Sequence, residues 1–328
     1  MKHKERWVVL ISLVVSILLT VIKFIAYFST NSVAILSDAL ESIITIVAAG
    51  FAYYSIYLSS LPKDQNHPYG HGKIEFFSIG VEGAMIFVAG CLILFKAFQY
   101  FIYPRAITQI DNGVILIAIT AAINFLFAQY LLYSGKKIPS ITIRGNGQHI
   151  ITDASTSSAL IAALLLIRFT NLHWIDPAMS LLIGILILRK GYNLIRKSVS
   201  GLMDEADIKL AEEIIMVMDM NRKSSWVDIH NLRIQQYGNN HHIDCHLTLP
   251  YYYTLSQVHE ETQNLSSLVN NYITVGEVEF FTHTDPCDPG CCHYCILFEC
   301  PVRQDAFTGR IKWTKENVLP NHKHGETE

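Results

Sequence analysis

The first two thirds of the chain alternate between long apolar runs and short polar breaks. A membrane-spanning helix needs roughly 20 mostly apolar residues. Six runs meet or approach that length: Trp7–Phe28, Ala34–Leu58, Phe76–Phe101, Val114–Tyr133, His149–Phe169 and Trp174–Leu188. The sixth is short, but Arg189 and Lys190 follow it, and long cationic side chains can reach from a span toward the headgroups, so the helix can run on.

After about Ser200 the pattern becomes that of a globular domain. Residues Asp207–Met220 place Leu210, Ile214, Val217 and Met218 at helical spacing. Trp226–Gln236 reads as a strand and Gly238-Asn239-Asn240 as a turn. In His241–Leu249 the apolar residues Ile243, Cys245, Leu247 and Leu249 alternate strictly, so the other face of that strand carries His242, Asp244 and His246. Leu255–Tyr272 reads as a helix bearing His259. Gly276–His283 reads as a third strand, running into His283-Thr284-Asp285-Pro286. The order α-β-β-α-β predicts an α+β, ferredoxin-like unit in which helices cover one face of a small sheet. The expected organisation is a six-helix transmembrane domain over residues 1–200, the α+β domain over 201–286 and a cysteine-rich tail over 287–328.

Composition supports a membrane protein: 16% of the 328 residues are charged, against about 25% in an ordinary soluble domain. The first apolar run is too long for a cleavable signal peptide, and no small-residue cleavage site follows it. The net charge of -3 suggests no nucleic-acid partner. Lys2, Lys4 and Arg6 precede the first span; Lys63 and Lys73 lie between the second and third; Lys136, Lys137 and Arg144 lie between the fourth and fifth; Arg189, Lys190, Arg196 and Lys197 follow the sixth. The opposite loops offer Arg105 and Arg168. This asymmetry predicts a multi-pass protein with both termini in the cytoplasm.

Charge inside a bilayer is expensive and by default marks an ion path. Glu41 and Thr45 are four residues apart, as are His149 and Asp153, so each pair shares a helix face. Two such faces meeting gather Glu41, His149 and Asp153, ligands for a divalent transition metal. Asp38 extends the polar face of the second span by one turn. Lys23, in the first span, either snorkels or has a structural partner. Glu82 can pair with Lys23 or Lys96, or lie near the metal cluster. Asn124 suits an inter-helix hydrogen bond better than a ligand role.

Beyond the spans, Asp64, His67 and His71 occur in a loop where Pro68, Gly70 and Gly72 oppose a helix; this is either a metal site on a turn or a solvated loop. His230, His242, His246, His259, His283 and Asp285 concentrate in one small domain, and neutral imidazole is the commonest metal ligand. Cys287, Cys291, Cys292, Cys295 and Cys300, with His293, crowd the start of the tail. In a reducing compartment such thiols suit zinc or copper(I) rather than disulfides. No Gly-rich phosphate loop and no Ser-His-Asp set is present, which argues against an enzyme.

From Trp7 to about Pro286 the chain resembles the cation diffusion facilitator family. The resemblance is carried by TNSVAILSDALES (Thr30–Ser42), HPYGHGKIE (His67–Glu75), H-x-x-x-D at His149 and Asp153, and the α-β-β-α-β domain ending HTDPC. It implies a homodimer that exports divalent metal from the cytoplasm, across the cell membrane, in exchange for protons. It places Glu41, His149 and Asp153 on transport-site positions, and Asp64, His67 and His71 on the loop site of bacterial zinc exporters. It places His230, His246, His259, His283 and Asp285 on the cytoplasmic-domain site at the dimer interface. Lys73 and Asp204 fall where the family has an inter-subunit charge interlock. The chain departs from the family at Thr45, usually Asp; Asp38, Glu82 or water is left to supply the missing oxygen. His149 argues for Zn2+, with Fe2+, Co2+ or Cd2+ behind it, because the family's manganese exporters tend to carry an acid or amide there. The rival from another class is a metal-sensing membrane protein that no longer transports. Six spans exclude a purely soluble metal buffer.

Overall fold

The computed structural model describes residues 3–103, 107–137, 141–238, 240–274 and 276–324. Lys2, Arg105 and Asn239 lie outside them, as do the side chains of Lys4, Arg6, Lys136, Lys137 and Arg144. The chain divides into two units, one of Met1–Ser55 with Phe77–Ser198 and one of Ile56–Phe76 with Val199–Glu328.

In the first unit α1 is His3–Thr30, α2 Val33–Ser59, α3 Ile74–Ile102, α4 Ile110–Lys137, α5 Ile141–Thr170 and α6 Ile175–Leu202. All six are long and apolar enough to cross a membrane. The sixth runs well past Leu188, carrying Arg189 and Lys190 inside the helix. Helix α1 ends at Asn31, whose φ of 53° is left-handed and whose N–H donates to the Tyr27 carbonyl at 2.8 Å. Two residues later α2 begins under an acidic cap. Asp176, at the start of α6, accepts from the Ser32 hydroxyl at 2.5 Å and the Val33 N–H at 2.9 Å. A carboxylate at a helix N-terminus satisfies orphan donors and meets the positive end of the dipole.

Packing within this unit follows residue size. Ala26, Ile35, Ile117, Leu160, Leu164 and Ile167 form a buried cluster that joins α1, α2, α4 and α5. Ile44, Ile86, Ile93 and Ile187 join α2, α3 and α6. Helices α3 and α6 meet backbone to backbone. A Cβ on Gly83 would sit 2.8 Å from the Ile195 nitrogen, and one on Gly191 2.7 Å from the Phe87 nitrogen. Small residues at such positions are what allow membrane helices to approach closely.

In the second unit α7 is Ile208–Met220, β1 Asp228–Tyr237, β2 Asn240–Leu249, α8 Leu255–Tyr272 and β3 Val278–Pro286. The predicted α-β-β-α-β order is observed. Asp207 caps α7 by accepting from the Leu210 N–H at 3.0 Å, and Thr254 with Gln257 forms a capping box at α8. Strand β2 is central, antiparallel to β1 and parallel to β3. Its alternating face, Ile243, Cys245, Leu247 and Leu249, is buried in one core with Ile214, Ile215 and Met218 of α7 and Leu265 and Val269 of α8.

The segment after Pro286 is part of that core. Trp313 and Val318 are buried in it at 2% and 0% exposure. The Arg222 guanidinium lies 4.1 Å from the Trp313 ring and donates to the carbonyls of Trp226, Val227 and Ile311. Burial pulls its pKa down to about 10, which leaves it charged at neutral pH. Truncating Trp313 to Ala removes a fully enclosed ring, a class of change that costs about 3–5 kcal/mol. Trp313→Ala therefore lowers the denaturation midpoint of the sheet-containing unit in the detergent-solubilised chain; an unchanged midpoint would mean the tail is not part of this core.

Glu261 on α8 accepts from Trp226 Nε1 at 2.9 Å, Lys223 Nζ at 3.1 Å and Ser225 Oγ at 3.1 Å. Burial pushes this carboxyl up, but the three donors and the Lys223 charge outweigh it, and its pKa is lowered. A carboxyl depressed in the folded state stabilises the fold above its unfolded value of about 4.3, and that contribution is lost as pH falls through the folded value. Glu261→Gln is thus expected to melt below wild type at pH 7, with the gap closing as pH drops below about 4; thermal unfolding against pH checks this.

Candidate metal centres

The sheet register builds the first centre. His230 on β1 pairs with His246 on β2, and His246 pairs with His283 on β3. Successive side chains on a strand point to opposite faces. The three histidines therefore form a row on the face opposite the apolar core, and Asp285, two residues beyond His283, joins them. Asp285 is the hub. Its Oδ2 lies 2.9 Å from His246 Nδ1 and 3.6 Å from His230 Nε2, and its Oδ1 lies 3.5 Å from His283 Nε2. One ligand atom from each of His230, His246 and Asp285 falls within 4.8 Å of the others. A tetrahedral ion with ligands at about 2.0–2.2 Å needs only a small closure of that set. His246 and His283 open on a cleft of about 640 Å³ that is also lined by Tyr69, His242 and Phe281. His259 is exposed on α8 and does not belong to the converged group.

Two further residues of this centre were not expected from the sequence. Asp228 is 1% exposed, and its Oδ2 lies 3.1 Å from His230 Nδ1. It holds the ring nitrogen that faces away from Asp285, and so fixes the orientation and tautomer of His230. On its other oxygen Asp228 contacts Nδ1 of His324, returned by the tail. Burial raises the Asp228 pKa, but hydrogen bonds from His230 and His324 and their charges outweigh it and hold the carboxyl well below the ordinary range. The Asp228-x-His230 spacing on one strand face is a signal that could have found it. His324 has no such local signal.

The second centre lies on the loop between α2 and α3. His67 Nδ1 is 3.0 Å from Asp64 Oδ1, and His71 Nε2 is 3.3 Å from Asp64 Oδ2. One ligand atom from each of the three lies within 4.8 Å of the others. The turn is made by Asp64 itself, whose Oδ1 accepts the N–H groups of Asn66 at 2.9 Å and His67 at 2.7 Å. The His67 N–H is the main reason its carboxyl sits below the usual value. The loop is seated on the sheet: a Cβ on Gly72 would lie 2.3 Å from the Tyr237 carbonyl oxygen, so only glycine fits. Lys73 anchors it further, 2.8 Å from Asp204 within the same chain.

Among the described residues, no three of Cys287, Cys291, Cys292 and Cys295 bring their ligand atoms within 4.8 Å. Cys291 and Cys295 are buried instead in an apolar cluster with Val227 and Tyr294. Burial pushes the Cys291 thiol up to about 11. The loop is organised round Arg303, which donates to the carbonyls of Cys292 at 2.8 Å and of Cys295 and Leu297 at 2.9 Å.

In the membrane-type unit α2 and α5 touch on their polar faces. Ser157, one turn after Asp153, donates to Asp38 at 3.3 and 3.4 Å. This brings the Asp38–Glu41 face of α2 toward the Asp153–Ser157 face of α5. His149 lies on α5 one turn before Asp153, and its side chain is outside the described residues. Asp38 is already engaged: Lys23, 2% exposed, lies 2.9 Å from Asp38 Oδ1 and donates to Ser42 at 2.9 Å. Lys23 thus has a structural partner, which is neither Glu82 nor the headgroups. Glu41 pairs with Lys190 of α6 at 3.1 Å. The Thr45 hydroxyl donates to the Glu41 carbonyl of its own helix at 3.0 Å.

Comparison with known proteins fits this geometry. Residues 9–203 match the cation efflux transmembrane domain, and residues 212–287 match the cytoplasmic domain of cation efflux proteins. The chain is 34% identical over 265 residues to an uncharacterized transporter of Synechocystis sp., covering 81% of this chain and 85% of that one. It is 28% identical over 264 residues to the cadmium, cobalt and zinc/H(+)-K(+) antiporter of Bacillus subtilis, covering 78% and 83%. It is 26% identical over 274 residues to the cation-efflux pump FieF of Escherichia coli, covering 82% and 89%.

Removing a carboxylate that orients a metal-bound imidazole typically lowers affinity about 10- to 100-fold. Asp228→Asn is expected to weaken zinc binding by the sheet centre by that much and to leave the loop centre unaltered. Equilibrium dialysis of the purified full chain, with His67→Ala and Asp228→Asn taken singly and together, separates the two centres; unaltered zinc affinity in Asp228→Asn would remove Asp228 from the site.

Proposed function

The chain belongs to the cation efflux family, the cation diffusion facilitators, and from that premise we propose that it exports a divalent transition metal, zinc first, in exchange for protons. It works as a homodimer in the cell membrane with both termini in the cytoplasm. The observation that carries the transport assignment is the Asp38–Ser157 contact, which sets the acidic face of α2 against the face of α5 that bears Asp153. Glu41 and Asp153 together supply two negative charges, enough to neutralise one divalent ion beside a neutral His149. The cadmium, cobalt and zinc named for the Bacillus subtilis relative are metals that accept imidazole with carboxylate, in keeping with His149. Fe2+ fits the same ligand set.

Export runs by alternating access. In the inward-open state the ion displaces protons from His149 and one or more carboxylates, because ligands must be deprotonated to bind. The helices then rock and expose the site outward, where higher acidity reprotonates His149 and Asp153 and releases the ion. Histidine suits this exchange because its ordinary pKa lies near working pH. The match over residues 212–287 supports a dimer formed through the sheet domain, with metal in the His230–His246–Asp285 centre drawing protomers together. Such a metal biases the transporter only through differential affinity for its two states.

A second reading, a sensor that binds metal without moving it, rests on Thr45, whose hydroxyl donates to the Glu41 carbonyl of its own helix where the family resemblance implies an Asp. Zinc flux into proteoliposomes under an imposed proton gradient separates the two. Wild type is expected to transport, with Asp153→Ala and His149→Ala falling to background. Equal flux in those variants overturns the site, and zinc binding without flux in wild type establishes the sensor.

A further inference from the structure

We propose that Lys190 is a built-in counter-ion of the transport site: its ammonium holds Glu41 when the metal is absent and has to be displaced for the metal to bind. The proposal rests on the assignment of Glu41 as a transport ligand. Its starting point is a charge inventory of α2. That helix carries two acids on its polar face, and each is met by a lysine from a different helix. Asp38 is met by Lys23 of α1 at 2.9 Å, and Glu41 by Lys190 of α6 at 3.1 Å.

The two pairs are built differently. Lys23 and Asp38 are 2% and 10% exposed, and the pair is tied further by Ser42 and Ser157. It is enclosed and multiply bonded, which suits a fixed structural link. Lys190 and Glu41 are 44% and 23% exposed and share a single bond. An ammonium on a flexible four-carbon stem, half in the open, can leave one carboxylate oxygen without unfolding anything. Glu41 is thereby the acid of α2 whose partner can be exchanged.

The exchange has a direction set by charge. A divalent ion at Glu41 and the Lys190 ammonium repel each other at contact distance, so the two occupy the carboxylate alternately. Lys190 therefore acts as an intramolecular competitor and raises the metal concentration needed to fill the site. After release it returns to Glu41, so the empty site does not present a bare carboxylate while the helices reset. Thr45 fits this scheme: with a hydroxyl in place of a second acid, one lysine suffices to neutralise the free acid of the α2 face.

Zinc-dependent flux in proteoliposomes holding the full chain tests the proposal. Lys190→Gln is expected to lower KM about tenfold, because the competitor is gone, and to lower kcat several-fold, because the empty site resets with an uncompensated charge. Lys190→Arg keeps the cation and is expected to stay near wild type in both. Lys190→Met keeps the stem length without the charge and is read as Lys190→Gln is, so misfolding of one variant leaves the other decisive. A merely structural lysine would give reduced kcat with unchanged or raised KM, and that result overturns the proposal, as does no change in either constant. Glu41→Ala is measured alongside. If it abolishes flux while Lys190→Gln is silent, only the counter-ion idea fails. If Glu41→Ala transports as wild type, the ligand assignment fails and the proposal goes with it.

Discussion

The arrangement of the membrane-type unit follows from one constraint, the high free energy of an unpaired charge at bilayer depth. Helix α2 carries Asp38 and Glu41 in the middle of an apolar sequence, and the chain answers each with a cation from elsewhere in the bundle. Those answers dictate neighbours. Lys23 draws α1 to α2, Ser157 draws α5 to the same carboxylate, and Lys190 draws α6 to the next turn. Asp176 adds a link at the far end by capping α2 from the start of α6. The apolar clusters pack this assembly without choosing its register, since hydrocarbon contacts are nearly as good against lipid. The polar contacts specify which face meets which, and they set the Asp38 face of α2 against the Ser157 face of α5.

The sheet-containing unit solves a different problem with the same economy of means. An alternating strand sends its apolar residues into the helices and leaves a polar face on the other side. Three strands in register then convert single histidines, unremarkable on their own, into a row only one strand spacing apart. Asp285 and Asp228 flank His230 from both ring nitrogens. The sheet centre is thus held by residues with their own partners, on rigid strands. The loop centre is held by an Asx turn around Asp64 and by the glycine contact under Tyr237.

Much of this was legible in the sequence because the periodicities are strong. The spans, the α-β-β-α-β order and the histidine face of β2 follow from apolar runs and strict alternation. For α6 apolar counting stops at Leu188, and the helix runs on past Arg189 and Lys190, as those snorkelling cations allow, to Leu202. The partner of Lys23 was open between Glu82, the headgroups and an unnamed structural partner, since helix neighbours cannot be read from one chain. The tail was the least legible part. Cysteines close in sequence suggest a cluster, yet Cys291 and Cys292 sit side by side on the 3-10 turn Pro289–His293, where successive side chains diverge. One is buried and the other half-buried. The burial of Trp313 and the return of His324 to Asp228 depend on contacts distant in sequence, which no local pattern announces.

The central claim is that Glu41, His149 and Asp153 form one cage for a doubly charged ion between α2 and α5. Zinc K-edge absorption on the full chain, with the two other centres disabled by His67→Ala and His246→Ala, examines that cage directly. The account predicts one retained zinc per chain with only oxygen and nitrogen neighbours at about 2.0–2.2 Å and imidazole scattering beyond them, lost in Glu41→Ala. A sulfur shell, or zinc retained unaltered in Glu41→Ala, would contradict it.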